Sequence, residues 1–434
     1  MMRKIISNRR EILAIALPAI VSNITTPVLG LVDVAITGHI GAALYIGAIA
    51  VGGSIFNMLY WLFDFLRMGT TGFTAQAVGA KNSSLCSLTL FRGLIVSIAL
   101  GLLALAFSQP IADIVLNFMD ADDDTARLAR RYFEICIFGA PAVLATYAMS
   151  GWFLGMQNSK AQMWVAIITN IVNIIVSTIL VFGLDWKIEG VATGTLSAQW
   201  VGALVAAAII RVKYNPALPS ALSVFELRPL MRFFRVNTDI FLRTACIVAV
   251  TLWFTHSGAL QGNGILAANA LLMQLFMLFS FFMDGFAFAG EALGGKYTGM
   301  TDKHAMSSLI RSLLVIGTVC ALIFSTIYAL AGDLIIDMLA DDARVRDIAN
   351  QYLPWAVAIP LCGYLAFLWD GVFVGQVRTR EMLLSTLLAL GVFFSLYFTL
   401  GTRLLNHGLW LAFDAYLLAR GLIQWGLYTR FKEC

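Results

Sequence analysis

Runs of about 20 mostly apolar residues follow one another along this 434-residue chain, each long enough to cross a bilayer core of about 30 Å as a helix. Hydrocarbon offers no hydrogen-bond partner, so a spanning segment must satisfy its own backbone, and a helix does so. Twelve such spans are predicted, at 11–38, 44–79, 88–108, 127–155, 161–183, 189–211, 236–258, 264–295, 305–331, 345–375, 381–400 and 407–429. The second, fourth, eighth and tenth are long, and are expected to tilt or to project into water. Apolar residues make up 60% of the chain and charged ones 12%, where a soluble domain carries roughly a quarter charged. The chain reads as an all-α, polytopic membrane protein.

It also contains itself twice, about 217 residues apart, as many transporters do. Gly155 and the run Gln157 to Met163 match Gly375 and the run Val377 to Met382. Upstream, Ala121-Asp122-Asp123, Tyr132 and Pro141 match Ala340-Asp341-Asp342, Tyr352 and Pro360. The run Gln76 to Lys81 resembles Glu291 to Lys296. Six spans fall in each half, so two pseudo-symmetric six-helix bundles are expected, as parallel repeats. The boundaries are 1–211 for the N-terminal lobe, 212–235 for a linker and 236–434 for the C-terminal lobe.

Lys and Arg set the orientation. Arg3, Lys4, Arg9 and Arg10 lie at the N-terminus, and Lys213, Arg228, Arg232 and Arg235 between the halves. Lys81, Lys160, Lys296, Lys303, Arg378 and Arg380 mark the other even-numbered loops. Odd-numbered loops are acidic, with Asp120, Asp122, Asp123 and Asp124 in one and Asp333, Asp337, Asp341 and Asp342 in its counterpart. Both termini are therefore expected in the cytoplasm of a cell bounded by this inner (plasma) membrane. The net charge of +4 follows from that topology and calls for no nucleic acid. The first span is too long for a cleavable signal and lacks a small-residue cleavage pattern. Six scattered cysteines, Cys86, Cys136, Cys246, Cys320, Cys362 and Cys434, form no CxxC pair and read as packing residues, with no metal site or disulfide framework.

Ionisable groups within spans are costly, so those that persist are the first functional candidates. Asp33 stands in the first span with no Lys or Arg within four residues. A carboxylate held in a low-dielectric cavity has its charged form disfavoured, and such a group is able to load a proton on one side and lose it on the other. The bland alternative is an Asp33 solvated at the helix end by the loop at His39. Pro18 and Pro27 lie in the same helix and would let it bend. Asn170, Asn173 and Ser177 share one face of the fifth span, and Thr195 and Gln199 one face of the sixth. They form either a polar network for Asp33 or interhelical glue.

The second half offers Asp284, Glu291, Asp370 and Arg243 as ion or substrate candidates. Arg243 is placed to neutralise one of these acids, although Asp239, four residues earlier, is its nearest choice on the same helix. Asp284 and Asp370 have no local basic neighbour, so one of them is expected to face a cavity. Asp64 and Arg67, three apart, are expected to pair locally. Phe and Met crowd the eighth span from Met273 to Phe288, but around its whole circumference, which makes a weak drug-pocket signal. There is no Walker loop and no HExxH, and the four histidines show no ligand spacing. No enzyme is indicated and no cofactor; the energy source is then an ion gradient.

Leu29 to Asp33 with Gly38-His39, Phe65 to Gly72, and Thr74 to Asn82 resemble the multidrug and toxic compound extrusion (MATE) family, more narrowly its DinF branch. Asp239-Ile240 before Arg243, Met283 to Ala287, and Asp370-Gly371 leading to Thr379 to Met382 extend the resemblance over essentially the whole chain. It implies a monomeric antiporter of two six-helix lobes in a V shape. Such a protein exports cationic or related amphiphiles against H⁺, with Na⁺ the second choice, and has membrane lipids as its surroundings. By the same resemblance Asp33 is the proton carrier, Asn173 and Thr195 belong to its network, and Pro18 is the bending proline. The family's second acidic residue on the fifth span is here Ser177, so Asp33 is expected to carry the N-lobe proton alone. The seventh span is free of acid from Thr244 to Phe254, which favours protons, while Asp370 leaves sodium open.

The alternative is a lipid or lipid-linked precursor flippase of the wider MOP superfamily, which would need a cationic cleft. Intramembrane arginine looks sparse for that, chiefly Arg67 and Arg243. A passive channel or an intramembrane enzyme ranks lower still. Aligning Pro18 with Arg243 sets Gly258 opposite Asp33, so the repeat supplies no acidic equivalent.

Overall fold

The apolar runs form helices throughout the computed structural model, which describes residues 2–38, 43–119 and 123–432. His39, Asp120, Asp122 and Cys434, and the side chains of Arg3, Lys4, Asp33 and Asp123, lie outside the described residues. The chain divides into two compact units, Leu17–Asn237 and Met1–Ala16 with Thr238–Cys434. The first holds the greater part of α1 (Met2–Gly38), then α2 (Ala43–Leu62), α3 (Phe65–Gly79), α4 (Ser83–Ala106), α5 (Ser108–Met119), α6 (Asp123–Cys136), α7 (Ala140–Gly155), α8 (Ser159–Thr178), α9 (Lys187–Ile209) and α10 (Ala221–Val224). The second holds the greater part of α11 (Leu227–Leu260), then α12 (Asn263–Gly299), α13 (Lys303–Leu339), α14 (Ala343–Gly375), α15 (Thr379–Leu396), α16 (Thr402–Leu404) and α17 (Asn406–Lys432).

Among the described residues, 10 helical stretches are long and apolar enough to cross a membrane. The first and twelfth predicted spans are helical too, as α1 and α17. Asp414, Arg420 and Gln424 make α17 more polar than the others, and all three turn out to be buried.

Two predicted spans are not single helices. The second breaks between α2 and α3, where Phe63 donates to the Tyr60 carbonyl, Leu66 to Phe63 and Arg67 to Asp64, each at 3.0 Å. These i to i+3 bonds tighten the chain locally. Asp64 starts α3, where a carboxylate complements the helix dipole. The fourth span is α6 and α7 joined by a tight turn at Ile137–Gly139, with Pro141 in the first turn of α7, where no amide hydrogen is needed. The counterparts α12 and α14 run unbroken, α14 through Pro354 and Pro360.

A matching close helix seam occurs in each unit. Gly151 and Gly155 of α7 lie against the Arg67 and Thr71 carbonyls of α3; Gly371 and Gly375 of α14 lie against the Ala287 and Glu291 carbonyls of α12. A Cβ on Gly155 would stand 2.9 Å from the Thr71 oxygen, and one on Gly375 2.5 Å from that of Glu291. Only glycine lets these backbones meet, as in other small-xxx-small membrane contacts.

These contacts fix the repeat at a spacing of 220: Arg67 answers to Ala287, Thr71 to Glu291, Gly151 to Gly371 and Gly155 to Gly375. The left-handed turn residues keep it, with Lys81 and Thr301 at φ 55° and 54° and Gln157 and Val377 at 61° and 56°. The next helices start alike, Asn82 accepting from the Leu85 amide and Asp302 from that of Ala305, both at 2.9 Å. The sequence match of Gln76 to Lys81 with Glu291 to Lys296 is therefore five residues out of register. It paired small residues that recur along both helices. Asp284 is the counterpart of Asp64.

Candidate functional site

In the N-terminal unit the polar residues of α8 and α9 meet. Asn170 donates to the Thr25 carbonyl of α1 at 3.1 Å, and Asn173 to the Thr195 hydroxyl of α9 at 3.0 Å. Asn173 is 1% exposed and Ser177 0%. Two glycines make room: a Cβ on Gly194 would strike the Ser177 hydroxyl, and one on Gly139 the Gln199 amide. The predicted residues Asn170, Asn173, Ser177, Thr195 and Gln199 thus lie on adjoining faces. Asn173 Oδ1, Ser177 Oγ and Gln199 Oε1 are buried and have no hydrogen-bond partner among the described residues. No charged residue occurs from 161 to 184 or from 190 to 210, so the cluster is neutral.

Asp33 itself is known by position, because its side chain lies outside the described residues. Alternation of spans runs α1 and α8 in the same direction, and Thr25 meets Asn170. Asp33 is eight residues beyond Thr25 and Ser177 seven beyond Asn170; at 1.5 Å per residue the two positions stand at one level. Pro18 and Pro27 both lie inside α1, Pro18 buried and Pro27 exposed. At the far end of α9, Arg131, Asp185, Lys187 and Glu189 line a cleft of about 500 Å³.

The C-terminal unit is charged instead. Asp370 on α14 accepts from Arg243 of α11 and, at 2.6 Å, from Gln424 of α17, while Arg420 of α17 lies 3.6 Å away. Arg420 is 3% exposed, donates to Tyr416 at 3.3 Å and also feels the charge of Asp284. Asp370 therefore sits inside a closed network, where an acid facing a cavity was one of the two expectations. Arg243 reaches across to another helix for it and leaves Asp239 to Thr379, whose hydroxyl donates at 2.8 Å. Glu291 is buried in the α12–α14 seam. Asp64 and Arg67 pair as expected, through two contacts of 2.9 Å.

Sequence reasoning missed Arg420, Gln424 and Arg92. Tyr416, Arg420 and Gln424 recur every fourth residue, which would have shown one polar face on α17. Arg92 is 5% exposed and holds the linker, donating to Val224 and Ser223 carbonyls at 3.0 and 2.6 Å. The Phe-rich stretch of α12 packs in the core: Phe276 meets Phe413 at 5.4 Å, Phe279 meets Phe367 at 6.1 Å and Phe282 meets Phe324 at 5.0 Å. Among the described residues no group of His, Cys, Asp and Glu is arranged to hold a metal.

Two six-span repeats, each closed on a glycine seam, define a multi-pass membrane protein of transporter type. The family model described as MatE matches residues 18–179 and 240–399, once in each half. The chain belongs to this family, the MATE transporters. It is 36% identical to the DNA damage-inducible protein F of Escherichia coli K12 over 426 residues, covering 98% of this chain and 93% of that one. With the probable multidrug resistance protein NorM of Thermotoga maritima it shares 22% over 79% of this chain and 74% of that one. Among solved structures, a point mutant of the Vibrio cholerae MATE transporter VcmN superposes with a TM-score of 0.88 at 16% identity, over 99% and 98% of the two chains. A MOP superfamily transporter of Pyrococcus furiosus gives 0.86 at 16%, over 98% and 96%.

Proposed function

We propose that this protein is a proton-coupled antiporter that exports amphiphilic, cationic organic compounds, with Asp33 as the proton carrier. The observation that supports this most is the neutral polar cluster at the level of Asp33. The unpartnered amide oxygen of Asn173, one turn from Ser177, can only accept and so suits a protonated carboxyl, which donates, while the Ser177 hydroxyl can meet either form. A protonated Asp33 would dock on that face, while the ionised form would serve as counter-charge for a cation. One proton and one cation then compete for a single group, which makes the exchange obligatory. Relatives named as multidrug resistance or multidrug export proteins support the export of organic compounds.

Sodium coupling at Asp370 is the weaker alternative, because both carboxylate oxygens are occupied by Arg243, Arg420 and Gln424. The flippase reading is weakened as well. Arginine is less sparse than the sequence suggested, yet Arg67, Arg92, Arg243 and Arg420 are all engaged within the protein. On this reading the protein works as a monomer in the inner membrane with both termini in the cytoplasm. It needs an ion gradient but no bound cofactor, and has amphiphilic substrates and lipids, not nucleic acid, as partners.

The test is uptake of a cationic dye by proteoliposomes of wild type and Asp33→Asn, first under a pH gradient and then under a sodium gradient. Proton-driven uptake lost in Asp33→Asn is the expected result. Sodium-driven uptake that survives the substitution would overturn the assignment. Silence under both gradients would move the search to lipid-linked substrates.

A further inference from the structure

The C-terminal unit holds one acid that its charge network leaves out. Asp414 on α17 is 5% exposed, and neither carboxyl oxygen has a hydrogen-bond partner among the described residues. The adjoining Phe413 packs on Phe254 at 5.2 Å and Phe276 at 5.4 Å, and Trp410, one turn earlier, packs on Phe254 at 4.8 Å. The stretch of α17 that carries Asp414 is thus embedded in aromatic rings.

Titratable groups stand on each of the elements around it. From α14, Cys362 feels the Asp414 charge, while Asp370 is held by Arg243 of α11, Arg420 and Gln424. From α12, Asp284 acts on Arg420. On α11, His256 packs beside Trp253, and after α15, Tyr397 stacks on Phe393. On α17 itself, His407 accepts from Trp355, and Arg420 donates to Tyr416. None of these donates to Asp414 among the described residues.

An ionised carboxylate buried without a donor is strongly disfavoured, so this conformation favours the protonated acid. The neutral acid is not at home either, because its hydroxyl finds no acceptor among the described residues and a buried unmade hydrogen bond is destabilising. An apolar side chain would serve this packing better. The residue makes physical sense if another conformation opens the α14–α17 contact to water and lets the proton leave.

We infer that Asp414 is a second proton-binding site, loaded in the conformation described here and emptied when that contact is hydrated. This rests on the proton-antiport reading for its role, since it gives each transport cycle a proton beyond the one assigned to Asp33. The step is a proton transfer alone: the carboxyl releases H⁺ to water and becomes a carboxylate.

Infrared pH-difference spectroscopy on lipid-reconstituted wild type, Asp414→Asn and Asp33→Asn tests the site without relying on transport. Expected is the C=O stretch of a protonated carboxyl at low pH, lost as the pH is raised, absent from Asp414→Asn and kept in Asp33→Asn. A wild-type spectrum unchanged by Asp414→Asn, or an Asp414 band that persists up to the pH at which the protein unfolds, would overturn the inference. Its role is read from the pH gradient that just balances a fixed substrate gradient. Asp414→Asn should still transport while moving half as many protons per substrate; an unchanged ratio would contradict a coupling role. A titrating Asp414 band in a protein that moves no protons would sink the antiport reading and leave the proton site standing.

Discussion

The two units share a scaffold and differ in their chemistry at matching positions. In the N-terminal unit Asp64 pairs with Arg67, three residues along the same helix. In the C-terminal unit the matching residues are Asp284 and Ala287, and the arginine that feels Asp284 comes from α17. Asn170, Asn173 and Ser177 of α8 answer to Leu390 and Phe393 of α15 and to Tyr397 just beyond it. Beside them, Trp253 of α11 packs its ring on Phe394 at 5.4 Å and on Tyr397 and Phe398 at 5.8 Å. One unit keeps a neutral polar face with unused acceptors; the other fills the same place with rings and moves its charges to the α11–α14–α17 junction. The duplicated part is the glycine seam, which fixes helix positions. The parts free to diverge are the faces turned away from it.

The largest stability difference between the units should appear when each loses an arginine. Arg420→Met leaves Asp370 and Asp284 undercompensated in a buried site and should cost about 3 kcal/mol, as breaking a buried pair does. Arg67→Met should cost only about 1 kcal/mol, because Asp64 keeps 28% of its side chain exposed. Thermal midpoints in detergent compare the two, and equal losses would erase the contrast. Adding Asp370→Asn to Arg420→Met should recover part of the loss.

The seam should fail alike in both units. Gly151→Ala and Gly371→Ala push a methyl group into the Arg67 and Ala287 carbonyls and should each cost about 1–3 kcal/mol. Gly391→Ala meets open space and should be neutral or slightly stabilising, since alanine favours helix. Unequal losses at Gly151 and Gly371 would show that the seams are not equivalent.

A subtler change sharpens the contrast at the polar face. Ser177→Asp puts a second carboxyl at the level of Asp33, where two like charges resist ionising together. The alkaline limb of the transport–pH profile should move to higher pH, read on protein that has passed a folding check because Ser177 is fully buried. A profile that stays in place would remove Ser177 from the neighbourhood of the proton carrier.

Much of this was legible in the sequence because it is local. Apolar runs forecast the helices, and a three-residue spacing forecast the Asp64–Arg67 pair. The network at Asp370 was not, since Arg243 and Asp370 stand 127 residues apart and Arg420 looked like one more charge in a polar last helix. The break at Phe63 and Asp64 carries no proline or glycine to announce it. Register failed for a physical reason too: glycines and alanines recur on α3 and α12, and the backbone contacts of the seam glycines and the turns that follow reveal which ones correspond.

The central claim is that proton and cation compete for Asp33. Its most direct test is proton release from purified protein in weakly buffered detergent solution when a cationic substrate is added. Wild type should release protons as it binds, and Asp33→Asn should release markedly fewer. Release of equal size from both proteins would place the competition elsewhere and contradict the account.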